Sequence, residues 1–161
     1  MTLTDDLTGL HNRRGFMTLT KQRLKEANRD KSKPVLLFAD FDCLKQINDA
    51  FGHSEGDKAL IETADVLRET FRESDIIARI SGDEFVVVAQ EANDLLAEVL
   101  ITRLQENLEA INAREDHRYE LSLSVGMTRY DPEHPSSIDE LLAQADIAMY
   151  EKKREKQSSS S

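Results

Sequence analysis

Two adjacent carboxylates, Asp83 and Glu84, lie between two short apolar stretches, directly after Ser81-Gly82. The stretches 76–78 and 85–89 are rich in Ile and Val, which predicts two strands joined by a tight hairpin turn. The two acids would then lie at the tip of the hairpin. Acids at such a tip are often no more than a solvated turn, so this segment alone leaves that interpretation open.

A second acidic segment lies upstream, where the apolar run 35–41 contains Asp40 and is followed by Asp42. The run predicts a central strand that is covered on both faces. If this strand lies beside the hairpin, Asp40 and Asp83 can converge on one cation, because Mg²⁺ prefers oxygen ligands and commonly binds one or two carboxylates plus substrate phosphates. Two metal ions there would suit in-line attack at phosphorus. The alternative is that helix N-termini or lysines satisfy these acids.

The length and composition suit a single acidic domain. A chain of 161 residues can bury roughly 68–70% of its unfolded surface as a single domain. The net charge of −10 and the pI near 4.9 argue against a nucleic-acid partner, which would favour clustered Lys and Arg. A nucleotide would need local cations, which a metal ion together with Lys45 and Lys153 would supply.

The cysteine content and the distribution of apolar residues indicate where in the cell the chain is expected. The single cysteine, Cys43, cannot form an intramolecular disulfide, which favours a reducing cytoplasm. No histidine is near it in sequence, so we predict a small packing residue rather than a nucleophile. No stretch reaches the roughly 20 apolar residues that cross a bilayer, and the amino terminus lacks a signal-peptide pattern, so no membrane contact by this domain is expected.

The first motif begins within the first ten residues. We therefore expect residues 1–157 to form a single output domain whose upstream sensory or receiver domain is absent, although an upstream region can still anchor the full-length protein to a membrane. Residues 158–161, four serines, predict a flexible tail or an appended remnant.

Hydrophobic periodicity predicts the element order αβααββαβα, which suggests an α/β (α+β) fold with helices packed on a mixed, ferredoxin-like sheet. Asn12 is the predicted cap of the first helix, and Ser137 with Glu140 form a capping-box signature for the last. Residues 119–128 alternate as a half-buried strand, in which Gly126 can accommodate a close backbone approach. The residues predicted to face the core are Phe16, Leu19, Leu24 and Ala27 in the first helix, Leu60, Ala64, Leu67 and Phe71 in the third, Leu96, Val99, Leu100, Leu104, Leu108 and Ile111 in the fourth, and Ile138, Leu141, Leu142, Ala145 and Met149 in the last.

A series of short motifs runs along nearly the whole chain, from Asp6 to Lys153. The motifs are Asp6-Leu7-Thr8-Gly9-Leu10 with Asn12-Arg13-Arg14, Asp40 to Lys45, Ile47-Asn48-Asp49, Gly52-His53, Gly56-Asp57, Asp75 with Arg79, Ser81-Gly82-Asp83-Glu84-Phe85, and Ala145-Asp146 to Tyr150. In this order they resemble the GGDEF domain of the diguanylate cyclase family, with serine in place of the first glycine of its signature. The resemblance implies the palm-like fold of nucleotidyl cyclases and polymerases, in which the first strand and the hairpin are neighbours.

The resemblance also implies a reaction. Two GTP molecules, one on each subunit of a facing homodimer, would be joined into cyclic di-GMP with release of pyrophosphate. Asp40, the carbonyl of Phe41 and Asp83 would be metal ligands, and Glu84 a further ligand or the base for the ribose hydroxyl. The metal would be Mg²⁺ or Mn²⁺, with two ions in each active site.

For the substrate, the resemblance implies that Asn48 and Asp57 recognise guanine, since an amide and a carboxylate can pair with its N1–H and amine. A helix-end turn for Asn48 and a first-turn acid suited to the helix dipole for Asp57 are the alternatives. His53 would contact the nucleotide or form a local hydrogen bond in its loop. Lys45 and Lys153 would clamp the β- and γ-phosphates, although Lys153 can instead compensate a helix dipole.

Arg72 and Asp75 match the RxxD site at which the family binds dimeric cyclic di-GMP and restrains catalysis. Arg103 would complete that site or be a surface charge. A helix-end ion pair is the alternative for Arg72 and Asp75.

Three positions depart from the family pattern: Ser81 replaces glycine, Leu44 stands where phenylalanine is common, and Gln157 stands where an arginine usually follows the terminal lysine. Serine has less backbone freedom than glycine and adds a hydroxyl, and glutamine makes a weaker, neutral phosphate contact. Two other functions remain open. One is a catalytically silent cyclic di-GMP receptor, and the other is a relaxed cyclase that also accepts ATP, which Asp57 disfavours.

Overall fold

A computed structural model describes residues 2–90 and 94–159. The elements are α1 (Arg13–Asp30), β1 (Val35–Phe41), α2 (Leu44–Phe51), α3 (His53–Thr70), β2 (Ile76–Ser81), β3 (Glu84–Ala89), α4 (Asp94–Asn112), β4 (Leu123–Arg129) and α5 (Ile138–Ser159). This is the predicted order αβααββαβα. The α/β fold class is therefore confirmed.

The four strands form one sheet in the order β2-β3-β1-β4. Every neighbouring pair of these strands is antiparallel, so the predicted mixed sheet was wrong in this detail. The crossover through α2 and α3 makes β2 run parallel to β1, but β3 lies between them and pairs antiparallel with both. A single parallel bridge, between His11 and Ala78, is added at the β2 edge.

Strand β1 is central and covered on both faces, as its apolar run predicted. Leu37 and Phe41 belong to the cluster that includes residues of α3 and α4, whereas Leu36 and Phe38 belong to the cluster that includes residues of α1 and α5. Alternate side chains of a strand point to opposite faces, so both clusters fix the position of β1. The strand in turn fixes the acids at its end.

Some of the helix residues predicted to face the core lie at the borders of the buried faces instead. Leu19 is 39% exposed, and Leu96 and Val99 are 39% and 42% exposed. Leu19 falls at the edge of the buried face of α1, which consists of Gly15, Phe16, Thr20, Leu24 and Ala27.

Cys43 and the strand before α5 also differ from the predictions. Cys43 is exposed, because it forms the turn between β1 and α2 with a left-handed φ of 64°; it is not a packing residue. The strand spans Leu123–Arg129 rather than residues 119–128, and its burial extends to both faces at Ser124 and Gly126. Helix α5 covers the face that alternation predicted to be open.

The predicted helix starts are confirmed. The Asn12 side chain accepts a hydrogen bond from the Gly15 amide at 2.9 Å, and Ser137 and Glu140 exchange backbone-to-side-chain bonds at 3.0 and 3.1 Å. Helix α5 continues through Ser158 and Ser159, where the Ser159 hydroxyl donates to the Glu155 carbonyl at 2.9 Å. These two serines are therefore helical rather than part of a tail, and residues 160–161 lie outside the described residues. Within the described ranges, no helix has the length and apolarity needed to span a membrane.

Candidate active site

The end of β1 and the tip of the β2–β3 hairpin are neighbours. Asp40 is paired in register with Glu84, and the Phe41 amide donates to the Asp83 carbonyl at 2.8 Å. The turn itself consists of Gly82 and Asp83, between the ends of β2 and β3. The structure thus meets the condition under which the two acidic segments can share one ligand.

Asp40 is the most perturbed acid of the site. Its side chain is 14% exposed. Burial raises the pKa of Asp40 to about 6; the hydrogen bond from Lys153 opposes this rise, and the charge of the Asp83 carboxylate adds to it. The Lys153 ammonium donates to Asp40 Oδ2 at 2.5 Å. The other oxygen, Oδ1, is buried and has no hydrogen-bond partner among the described residues.

A divalent cation fits this arrangement. A buried carboxylate oxygen without a donor is unfavourable, and a second carboxylate close by makes the repulsion larger. Hard cations take oxygen ligands of the kinds present here, namely the carboxylates of Asp40 and Asp83 and the carbonyl of Phe41. Lys153 satisfies one oxygen of Asp40 and leaves Oδ1 for such an ion.

The raised pKa of Asp40 predicts a pH-dependent stability. The folded metal-free protein holds the Asp40 proton more tightly than the unfolded chain does, so its free energy of unfolding should fall as pH rises from about 4 to about 6. Thermal unfolding with EDTA across this range, compared between the wild type and Asp40→Asn, would isolate this contribution from acids with lowered pKa such as Asp131. Added Mg²⁺ should restore stability to the wild type above pH 6 and not to the variant. Equal slopes in both proteins would contradict the prediction.

A second carboxylate at the end of β1 is tied to α5. Asp42 accepts hydrogen bonds from the hydroxyls of Ser122 and Ser124, both at 2.8 Å, and from the Lys156 ammonium at 2.8 Å. Lys156 also donates to the Leu123 carbonyl at 2.6 Å. Ser122, Ser124 and Lys156 were not predicted as site residues. A signal was present, since the two serines lie on one face of the predicted strand 119–128 and Lys156 follows Lys153 by about one helical turn.

Arg79 holds the hairpin tip in place. Its Nε and Nη2 atoms donate to the Gly82 carbonyl at 3.1 and 2.9 Å, while Nη1 lies 3.2 Å from Asp5 Oδ1. One guanidinium therefore links the amino-terminal segment to the turn that carries Asp83. This role of Arg79 was not predicted from the sequence.

Ser81 fits the turn without backbone strain. The positive-φ residues other than glycine are Lys31 and Cys43 among the described residues, so the position does not require the freedom of glycine. The Ser81 hydroxyl donates to the Glu84 carboxylate. The serine thus orients one of the two signature acids.

The proposed guanine-recognition residues, Asn48 and Asp57, lie on α2 and α3 near the junction of the two helices. A Cβ added to Gly56 would lie 1.8 Å from Asn48 Oδ1, so the Asn48 amide lies directly over Gly56, the residue before Asp57. Asp57 is exposed on α3. His53 is not in a loop as predicted but is the first residue of α3, because the chain turns at Gly52 with a φ of 96° and the helix begins at once.

The two candidate phosphate lysines have different environments. Lys45 is exposed on α2. Lys153 lies among the acids, 2.5 Å from Asp40 and 3.6 Å from Asp42. Burial would lower the pKa of Lys153, but its hydrogen bond to Asp40 and the charges of Asp40, Asp42 and Asp83 raise it overall. Its main interaction is therefore with the acids rather than with the helix dipole.

Arg72 and Asp75 line a groove of about 360 Å³ beside Arg68. Asp75 accepts from the amide of Arg72 at 2.9 Å and from the amide of Gln90 at 3.3 Å, so its carboxylate binds the backbone of the turn. Arg103 is exposed on α4 and lines a different groove. The structure does not bring it to the groove of Arg72.

Comparison with known proteins agrees with this geometry. The family described as "Diguanylate cyclase, GGDEF domain" matches residues 2–159. The chain belongs to the GGDEF family of diguanylate cyclases.

Two relatives from Pseudomonas aeruginosa illustrate the range of this family. The chain is 38% identical over 156 residues to the diguanylate cyclase TpbB, covering 94% of this chain and 35% of TpbB. It is 34% identical over 149 residues to the cyclic di-GMP phosphodiesterase NbdA, covering 92% of this chain and 19% of NbdA. The chain therefore spans about a third or less of these relatives.

Solved structures of the family have the same fold. A truncated TpbB comprising only its GGDEF domain superposes with a TM-score of 0.85 at 36% identity, covering 94% of this chain and 89% of that one. The GGDEF domain of DgcB from Caulobacter crescentus, in complex with c-di-GMP, superposes with a TM-score of 0.83 at 27% identity, covering 96% of this chain and 91% of that one.

Proposed function

We propose that this chain is the catalytic domain of a diguanylate cyclase, which condenses two GTP molecules into cyclic di-GMP and pyrophosphate. The observation that carries the proposal is the meeting of Asp40 and Asp83, with one Asp40 oxygen buried and unsatisfied by the described residues. Together with family membership, this pair of acids supports metal-dependent phosphoryl chemistry over a purely structural role.

Each residue of the site has a proposed task. Asn48 and Asp57 bind the edge of guanine, and His53 and Lys45 contact the nucleotide from the exposed surface of α2 and α3. Lys153 balances the charge of the acids and faces the phosphates. Asp40, Asp83 and the Phe41 carbonyl would hold the metal, with Glu84 beside them.

In the reaction, the 3′-oxygen of one GTP forms a bond to the α-phosphorus of the other. The bond from that phosphorus to the bridging β-oxygen breaks, and pyrophosphate leaves. Glu84 accepts the proton of the 3′-hydroxyl, and the hydrogen bond from Ser81 orients its carboxylate. Two ions of Mg²⁺ or Mn²⁺, when bound, would neutralise phosphate charge and favour the ionised hydroxyl.

A facing homodimer follows from this chemistry. Ring closure needs two 3′-hydroxyls and two α-phosphorus atoms, and each subunit is proposed to hold one GTP. In each new bond, one subunit therefore supplies the GTP with the attacking 3′-oxygen and the other supplies the GTP with the α-phosphorus. A monomer cannot close the ring.

The proposal also covers inhibition by the product and the cellular location of the domain. Cyclic di-GMP would bind in the groove of Arg72 and Asp75 and restrain catalysis, whereas Arg103, which lines a different groove, would be a surface charge. The solved complex of DgcB with c-di-GMP supports a product-bound state in the family. Residues 1–157 would act as one catalytic domain in the cytoplasm, where GTP is present, under the control of an upstream sensory or receiver domain.

Purified protein with GTP and MgCl₂ should form cyclic di-GMP and pyrophosphate, identified by mass. The rate per subunit should fall on dilution, because the active form is a dimer. Absence of product at high protein concentration would reject the cyclase. Tight binding of cyclic di-GMP without turnover would instead indicate a silent receptor, and adenine-containing products from mixed GTP and ATP would indicate a relaxed cyclase.

A further inference from the structure

Resting on the proposed function, we infer that the segment 117–119 positions Asn48 and Asp57 and thereby sets the preference for guanine. This segment, His117-Arg118-Tyr119, precedes β4 and lies outside the motifs that define the catalytic site. It contacts both helices that carry the guanine-recognition residues. We call it the strap.

The strap holds the start of α3 through Glu55. The Tyr119 hydroxyl donates to the Glu55 carbonyl at 3.2 Å, and Arg118 Nη2 lies 3.0 Å from Glu55 Oε1. Glu55 directly precedes Gly56, over which the Asn48 amide lies. Both the backbone and the side chain of this residue are thus fixed from outside the helix.

The strap also holds the end of α2 through Phe51. The guanidinium of Arg118 lies over the Phe51 ring, 5.3 Å from its centroid, and the rings of Tyr119 and Phe51 are 5.7 Å apart. Phe51 follows Asn48 by three residues and therefore lies on a neighbouring part of the same helix surface. One side chain, Arg118, consequently bridges α2 and α3.

The strap is itself anchored. The two ring nitrogens of His117 lie 2.5 Å from the Tyr119 carbonyl oxygen and 3.0 Å from a carboxylate oxygen of Glu62. Burial raises the pKa of Tyr119 to about 12, and the charges of Glu62 and Glu55 add to this rise, so its hydroxyl remains a donor. Beyond the strap, the Leu121 amide donates to Asn112 of α4 at 2.7 Å.

The contacts of Arg118 are better suited to positioning the guanine-recognition residues than to stabilising the fold. The Arg118 side chain is 61% exposed, so its ion pair with Glu55 stabilises the fold only a little. The same contacts fix the first turn of α3, over which the Asn48 amide lies. A small displacement of recognition groups can weaken hydrogen bonds that depend on direction and distance.

The test measures discrimination between two bases. Binding of α,β-methylene-GTP and α,β-methylene-ITP, which differ by the exocyclic amine of guanine, is measured by calorimetry with Mg²⁺. We expect Tyr119→Phe and Arg118→Gln each to reduce the GTP-over-ITP affinity ratio by about 5-fold or more, since removing a group that orders a hydrogen-bonding site weakens selection for that bond. Arg118→Lys should recover part of the ratio.

The matched control is Tyr130→Phe, which removes a tyrosine hydroxyl that donates to Asn28 of α1 at 2.6 Å. It should leave the ratio unchanged. Strap variants with a lower melting temperature and an unchanged ratio would overturn the inference, as would equal weakening for both analogues or a wild type that does not discriminate. A wild type that discriminates but makes no cyclic di-GMP would reject the cyclase and leave the strap to be judged by the same ratios.

Discussion

Asp83→Asn is expected to reduce cyclic di-GMP formation by at least about 100-fold, which corresponds to about 3 kcal/mol of transition-state stabilisation. The substitution removes one of the two carboxylates proposed to hold the metal and keeps the size of the side chain. The fold should persist, because the turn depends on the backbone bond from Phe41 to the Asp83 carbonyl and on Arg79 at the Gly82 carbonyl. Initial rates with saturating GTP and Mg²⁺ measure the effect.

The charge-matched control for this experiment is Asp139→Asn, an exposed acid in the first turn of α5. It should retain the wild-type rate within about twofold. Metal-free Asp83→Asn should also be at least as stable as the wild type above pH 6, because the neutral amide no longer repels Asp40. More than a tenth of the wild-type rate in Asp83→Asn would contradict the assignment of Asp83 to the metal site.

The helices and strands could be predicted from sequence because each depends on a local pattern. The apolar run of β1 predicted a strand buried on both faces, and it is flanked by strands on both sides and covered by two clusters. The turn residues before Asp83 predicted the hairpin. Neighbouring placement of strand and hairpin came from the family resemblance, since periodicity identifies faces but not partners.

The remaining contacts join residues that are distant in sequence. Asp42 and Lys156 are 114 residues apart, Asp5 and Arg79 are 74 apart, and Tyr119 lies 64 residues from Glu55. Nothing in a local pattern specifies which exposed Lys or Arg meets which acid. The strap was missed for the same reason, because only Tyr119 belonged to a predicted element, the alternating strand 119–128, and no local pattern indicated the partners of His117 and Arg118.

Residues at the borders of the buried helix faces were predicted wrongly for a different reason. Periodicity assigns a direction to each side chain, but the width of the buried face depends on what packs against the helix. Leu19 and Val99 have the spacing of core residues and still lie at the border. Gly126 is the opposite case, in which the predicted close backbone approach is confirmed by its contact with α5.

Gly126→Ala is therefore expected to lower the melting temperature by about 6–12 °C. A Cβ at this position would lie 2.1 Å from the Met149 amide nitrogen and 2.3 Å from the Ala145 carbonyl oxygen, so the backbone of α5 must move. Overpacking typically costs about 1–3 kcal/mol and occasionally more. Because the added Cβ overlaps backbone atoms, the upper value of about 3 kcal/mol applies, and each kcal/mol corresponds to about 2–4 °C in a chain of this size. Thermal unfolding followed by circular dichroism measures the change.

The same displacement should reach the active site. Helix α5 carries Lys153 and Lys156, which bind Asp40 and Asp42, so the folded fraction of Gly126→Ala should also turn over GTP more slowly than the wild type. Gly82→Ala is the matched control for stability, since a Cβ there meets nothing within 4 Å and its φ is not positive. A melting temperature for Gly126→Ala within about 2 °C of that control, a difference of less than about 1 kcal/mol, would show that α5 does not pack on β4 as closely as described.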